Sequence, residues 1–128
     1  MDNVGKKKVL LIDDDEMHLT TAELYLKDDY EILKVKSGEE ALNRLNNNEF
    51  VPDVVLLDIV MPGMNGWEVF KKIRTSSLKS VPIAFLTTEN AQSEKDRATK
   101  LGAADYITKP YNMTLLKSKV KDILSKKK

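Results

Sequence analysis

The sequence predicts an α/β fold: a doubly wound parallel sheet of five strands with helices on both faces. Apolar runs ending in polar groups are the first sign: Val9-Leu10-Leu11-Ile12-Asp13-Asp14-Asp15, Val54-Val55-Leu56-Leu57-Asp58, Ile83-Ala84-Phe85-Leu86-Thr87-Thr88 and Tyr106-Ile107-Thr108-Lys109-Pro110. Short runs without apolar/polar alternation read as strands buried on both faces, as in a parallel sheet. Helical patterns separate the runs, and the right-handed crossover rule leaves few topologies for such a chain. Ligands of these sheets gather at the carboxyl ends of the strands, where the strand order reverses. Asp13, Asp14, Asp58, Thr87 and Lys109 are therefore expected in one shallow pocket.

The first strand is expected over Lys8 to Ile12, with Asp15 as a helix N-terminal residue rather than a ligand. His18, the sole histidine, opens the first helix and reads as a solvated residue. The second strand, Glu31 to Val35, is followed by Ser37-Gly38-Glu39-Glu40. This is a capping-box pattern, Ser37 as N-cap and Glu40 reaching back, before a helix carrying Ala41, Leu42 and Leu45. The third strand, Val54 to Leu57, leads into a loop shaped by Pro62, Gly63 and Gly66. Asn65 can cap the next helix, with Val69, Phe70 and Ile73 on its buried face and Trp67 as a packing residue. The fourth strand, Pro82 to Leu86, precedes a helix that ends before Gly102, where a left-handed C-cap belongs. The fifth, Asp105 to Thr108, precedes a helix that Asn112 can open and whose Leu116, Val120 and Ile123 share one face.

At 128 residues the chain reads as one domain, able to bury about two-thirds of its unfolded surface. The absence of cysteine removes any disulfide scaffold or thiol nucleophile and fits a reducing compartment. With no signal peptide and no apolar run of membrane-spanning length, no membrane contact and a cytoplasmic location are expected. A net charge of +1, from 21 basic and 20 acidic residues, gives no global pull toward nucleic acid. Lys6-Lys7-Lys8 and Lys126-Lys127-Lys128 read as solvated, partly frayed ends.

Asp13-Asp14, Asp58 within Leu56-Leu57-Asp58-Ile59-Val60-Met61-Pro62-Gly63-Met64-Asn65-Gly66, Thr87, and Tyr106 with Lys109-Pro110 fall in order at strand ends. Together they resemble the signature residues of the receiver domain of bacterial two-component response regulators, from about Lys8 to Leu124. The resemblance implies a flavodoxin-like strand order, 2-1-3-4-5, and a single chemotaxis-regulator-like receiver domain over residues 1–128. It implies a signalling switch rather than an enzyme. Asp58 would accept a phosphoryl group, with Mg2+, from a sensor histidine kinase, a histidine phosphotransfer protein or a small phosphodonor, and would lose it slowly. Asp14 and Asp58 would supply carboxylate ligands and the Val60 backbone carbonyl a third, while Asp13 holds a metal-bound water. Lys109, across a cis bond to Pro110, would bring positive charge to the phosphoryl oxygens, and Thr87 would donate a hydrogen bond to them. Tyr106 would turn with Thr87, altering the face of the fourth helix, fifth strand and fifth helix that a downstream protein or output domain reads.

The chemistry of the residues is compatible with this. At about 5 Å separation, each pair of ionised carboxylates repels by roughly 3 kcal/mol at an effective dielectric near 20, so the cluster binds protons or a cation. All-oxygen ligation with retained waters suits Mg2+, or Mn2+ as a substitute, better than zinc. Singly, each residue also has a plainer use: Asp13 or Asp14 as a helix cap, Thr87 bonded to backbone, Lys109 on the surface, Tyr106 as a static aromatic. Two other functions stay open, an aspartyl-phosphate hydrolase of haloacid-dehalogenase type and a flavodoxin-like flavin-binding module. The first typically carries its nucleophile after the first strand. The second would want a hydroxyl- and glycine-rich first loop, where this chain has Asp13-Asp14-Asp15.

Overall fold

The computed structural model describes residues 5–126. Strands and helices alternate as β1 (Lys7–Ile12), α1 (Glu16–Leu26), β2 (Tyr30–Val35), α2 (Gly38–Asn46), β3 (Val54–Leu57), α3 (Gly66–Arg74), β4 (Ile83–Thr87), α4 (Gln92–Leu101), β5 (Asp105–Thr108) and α5 (Met113–Lys126). They form one parallel sheet in the order β2-β1-β3-β4-β5, as expected.

Each inner strand feeds two apolar layers. Leu10 and Ile12 of β1, Val55 and Leu57 of β3, and Ile83 and Phe85 of β4 join the layer under α2, α3 and α4. Their neighbours Val9, Leu11, Val54, Leu56, Ala84 and Leu86 join the layer under α1 and α5. Successive strand side chains point to opposite faces, so a strand covered on both sides shows an unbroken apolar run. Fully burying one large apolar side chain stabilises the fold by about 1.5 to 3 kcal/mol before entropy is counted. Phe85 anchors the first layer, its ring 4.8 Å from Trp67, 5.6 Å from Phe70 and 6.2 Å from Tyr106.

The strand ends differ from expectation at three places. β1 and β2 each start one residue earlier, because Lys7 and Tyr30 pair at the head of their ladder. Lys7 and Lys8 therefore belong to the sheet and do not fray, whereas Lys127 and Lys128 lie outside the described residues. β4 is displaced by one residue toward its carboxyl end. Pro82 has no N–H to donate, while the Thr87 carbonyl accepts from the Lys109 N–H at 2.8 Å and gains a rung. Thr87 is thus held as the last residue of a strand.

The caps largely follow the sequence. Ser37 accepts from the Glu40 N–H, but the Glu40 carboxylate takes the Lys36 N–H instead of closing a reciprocal box. Lys36 lies just beyond the last β1–β2 pair, Ile12 with Val35, and its amide is the donor within reach. The reciprocal capping box is at α3, between Asn65 and Glu68. Gly102 closes α4 at φ 92°, and the Asn112 side chain accepts from the Leu115 N–H at the start of α5. α4 itself is lightly anchored: Ala98 is its one buried residue, and no side chain caps it at Ala91.

Candidate functional site

The backbone ladder fixes the predicted residues at the carboxyl edge of the sheet. The Asp13 N–H bonds the Val35 carbonyl at 3.2 Å, and the Asp58 N–H bonds the Ile12 carbonyl at 2.9 Å. Among the described residues, the buried polar or charged side chains are those of Asp13, Asp58, Thr87 and Lys109. Burying such groups is costly unless they pair with one another. Here Lys109 pairs with Asp13 and Asp58 while the Thr87 hydroxyl takes the Glu89 N–H, and no buried side-chain nitrogen or oxygen described lacks a partner.

Asp13, Asp14 and Asp58 each offer a carboxylate oxygen within 4.8 Å of the other two. Lys109 Nζ lies 2.5 Å from Asp13 Oδ2 and 3.5 Å from Asp58 Oδ2. A single ammonium thus faces two of the three clustered acids. Burial is the main cause that lifts the Asp13 carboxyl above its ordinary range. The hydrogen bonds from Lys109 and the Asp15 N–H oppose that shift, and the charge of Asp58 adds to it. Asp14 is exposed, and its carboxylate is turned to the same cluster. Hard oxygen donors at this spacing fit a small divalent cation. Asp15 caps α1, its side chain accepting from the Met17 and His18 N–H groups, as the sequence predicts. Val60 is exposed on the loop after β3, and its N–H donates to Asp58 Oδ1 at 3.3 Å.

Thr87 Oγ1 accepts from the Glu89 N–H at 3.3 Å, leaving the hydroxyl proton available for donation. The Tyr106 hydroxyl donates to the Glu89 carbonyl at 2.7 Å. Glu89 therefore links the two residues through its backbone, a connection with no counterpart in the sequence reading. Desolvation, reinforced by the charges of Glu94, Glu89 and Asp58, pushes the Tyr106 phenol up to about 12. The Lys109–Pro110 bond is cis, as the resemblance implies.

Two further residues belong to the site. A Cβ on Gly66 would lie 2.3 Å from the Asp58 carbonyl oxygen and 2.7 Å from the Ile59 Cα, so α3 starts against the backbone of Asp58. His18, read as solvated, is only half-exposed, and its Nδ1 lies 2.8 Å from Lys109 Nζ. Its placement on the first helical turn after Asp13 is the signal available in the sequence. A groove of about 270 Å³, bordered by Met17, His18, Thr21, Thr88 and Tyr111, opens beside Lys109.

The chain matches the family model described as response regulator receiver domain over residues 9–121. It is 35% identical over 119 residues to the alkaline phosphatase synthesis transcriptional regulatory protein PhoP of Bacillus subtilis, a match covering 92% of this chain and 48% of PhoP. The chain spans about half the length of such curated regulators. Among solved structures, the chemotaxis protein CheY4 of Vibrio cholerae is similar at a TM-score of 0.86 and 32% identity, over 94% of this chain and 100% of that one. The non-phosphorylated HemR receiver domain of Leptospira biflexa gives a TM-score of 0.84 at 31% identity, over 94% and 95% respectively.

Proposed function

This chain belongs to the response regulator receiver domain family, and from that premise we propose that Asp58 is its phosphoryl acceptor. The family is one of phospho-accepting signalling switches in two-component systems, not of conventional enzymes. The observation that carries the residue assignment is the burial of Asp58 among Asp13, Asp14 and Lys109 at the carboxyl edge of the sheet. We read residues 1–128 as one such domain.

In this reading an Asp58 oxygen attacks phosphorus as the bond from phosphorus to the leaving group of the donor breaks, giving an aspartyl phosphate. The Lys109 ammonium offsets charge on the phosphoryl oxygens, and the Thr87 hydroxyl donates its free proton to one of them. Asp14, Asp58 and the Val60 carbonyl would hold Mg2+, with Mn2+ as a substitute and Asp13 acting through water. When bound, the ion supplies positive charge that offsets the acids and the incoming phosphoryl group. Water attacking the same phosphorus would slowly reverse the modification. Receivers of this family work with histidine kinases or phosphotransfer proteins, and we take a phosphohistidine on such a partner as the donor. No helix of the described residues is long and apolar enough to cross a membrane. We infer a cytoplasmic switch that acts on a downstream protein or output domain without touching nucleic acid itself.

Incubation with a small phosphodonor and Mg2+ is expected to add one acid-stable, base-labile phosphoryl group, with no turnover of a generic phosphate ester. Unmodified protein, or ester turnover, would overturn the reading. In calorimetric titrations, Asp14→Asn is expected to weaken Mg2+ binding by about tenfold or more, with Asp15→Asn nearly unchanged. Equal losses would show the ligand set to be misaligned by one residue.

The readout is expected on α4, β5 and α5. Donation from Thr87 to the phosphoryl group would draw its hydroxyl toward Asp58 together with the Glu89 N–H bonded to it, and the Glu89 carbonyl holds Tyr106. The light anchoring of α4 makes it the element able to respond. A coupling of about 1 to 3 kcal/mol is the reasonable scale. Amide shifts with and without beryllofluoride, in wild type and Thr87→Ala, test this. Dominant changes on α1 and α2, or an intact α4 response in Thr87→Ala, would contradict it.

A further inference from the structure

A buried ammonium carries three protons, and each needs an acceptor. Around Lys109 Nζ stand Asp13 Oδ2 at 2.5 Å, His18 Nδ1 at 2.8 Å and Asp58 Oδ2 at 3.5 Å. The two short contacts fix two protons, and the third is thereby aimed at Asp58. Lysine only donates, so the imidazole nitrogen facing it must offer a lone pair, which puts the ring proton on Nε2. An imidazolium would instead set two N–H donors against each other at 2.8 Å. His18 Nδ1 also lies 3.6 Å from Asp13 Oδ2 and 3.8 Å from Asp15 Oδ2, both too far for a hydrogen bond. The imidazole is carried on a rigid element, since the His18 N–H bonds the Asp15 cap and the adjacent Leu19 is buried.

We propose that His18 is a positioning residue for phosphoryl transfer, its Nδ1 holding the Lys109 ammonium so that one proton stays directed at Asp58. The inference rests on the roles given above to Asp58 and Lys109. Without this acceptor the ammonium would take its third partner from water in the adjoining groove, free to turn about its short bond to Asp13 and away from Asp58. The effect belongs to the chemical step, because it concerns the charge that meets the phosphoryl oxygens in the transition state.

The test compares His18→Leu, which removes the acceptor but keeps apolar volume, with His18→Asn, which can set an amide oxygen near the place of Nδ1. Met17→Leu, in the same groove, is the control. With a small phosphodonor and Mg2+, His18→Leu is expected to lower the maximal rate of Asp58 modification about five- to twentyfold. Half-saturation by the donor is expected to change less than about twofold, as for an interaction made mainly in the transition state. His18→Asn is expected to recover most of the rate, and Met17→Leu to match wild type. A wild-type rate in His18→Leu, or a His18→Asn rate no better than that of His18→Leu, overturns the proposal.

A second readout needs neither donor nor metal. The 15N spectrum of the imidazole is expected to show the Nε2–H tautomer, with an Nδ1 signal that moves in Lys109→Met. A proton on Nδ1, or no response to Lys109→Met, overturns the proposal even if His18→Leu fails to fold. Wild-type labelling separates the two levels: no phosphoryl on Asp58 overturns the proposed function, whereas labelled wild type with an equally fast His18→Leu overturns this inference alone.

Discussion

Asp58→Asn is expected to reduce phosphoryl uptake to background. The asparagine amide has nearly the shape of the carboxylate but no charge, and its oxygen is too weak a nucleophile to displace a leaving group from phosphorus. The neighbouring acids offer no substitute. Asp13 is engaged by Lys109 and the Asp15 N–H, and Asp14 is exposed at the rim. The substitution also removes one of three clustered carboxylates that lie beside a single buried ammonium, so the metal-free variant is expected to be at least as stable as wild type. Intact-mass measurement after exposure to the donor, with reductive trapping to map the site, checks the first claim, and urea unfolding checks the second. Full modification of Asp58→Asn would remove the acceptor assignment. A large loss of stability would instead mean that Asp58 is chiefly a structural partner of Lys109.

Gly66→Ala is expected to cost about 2 to 4 kcal/mol of stability, since overpacking against backbone cannot be relieved by a rotamer change. The added Cβ would lie 2.3 Å from the Asp58 carbonyl oxygen, so α3 or the strand-end carbonyl has to shift. Whichever moves, Asp58 moves with it, because the Gly66 N–H also bonds the Ile59 carbonyl at 2.9 Å. Slower phosphoryl uptake is therefore expected even in the folded fraction. Gly63→Ala is the informative comparison. Its φ of +74° strains any L side chain, yet the nearest atom to an added Cβ is Glu39 Oε2 at 3.7 Å. A loss of only about 1 kcal/mol is expected there. Denaturant midpoints at matched slopes distinguish the two, and equal losses at both positions would show that loop conformation, not close approach to Asp58, is what Gly66 provides.

The alternation of strands and helices was legible in the residues, because burial on both faces erases polar alternation and leaves short apolar runs between helical patterns. It also placed Asp13, Asp58, Thr87 and Lys109 on one edge: parallel strands all end on the same side, so residues at their carboxyl ends must converge. The slide of β4 lay within reach as well, since Pro82 announces a missing donor. The strand order came from the resemblance, not from periodicity. Three contacts emerged from packing alone: His18 meets Lys109 across 91 residues, Glu89 joins Thr87 to Tyr106, and Gly66 lies against the Asp58 carbonyl. The physical reason is common to all three. Composition and periodicity report how one segment divides between core and solvent, whereas these contacts depend on how far a helix is rotated about its axis and which path a loop takes between two packed elements.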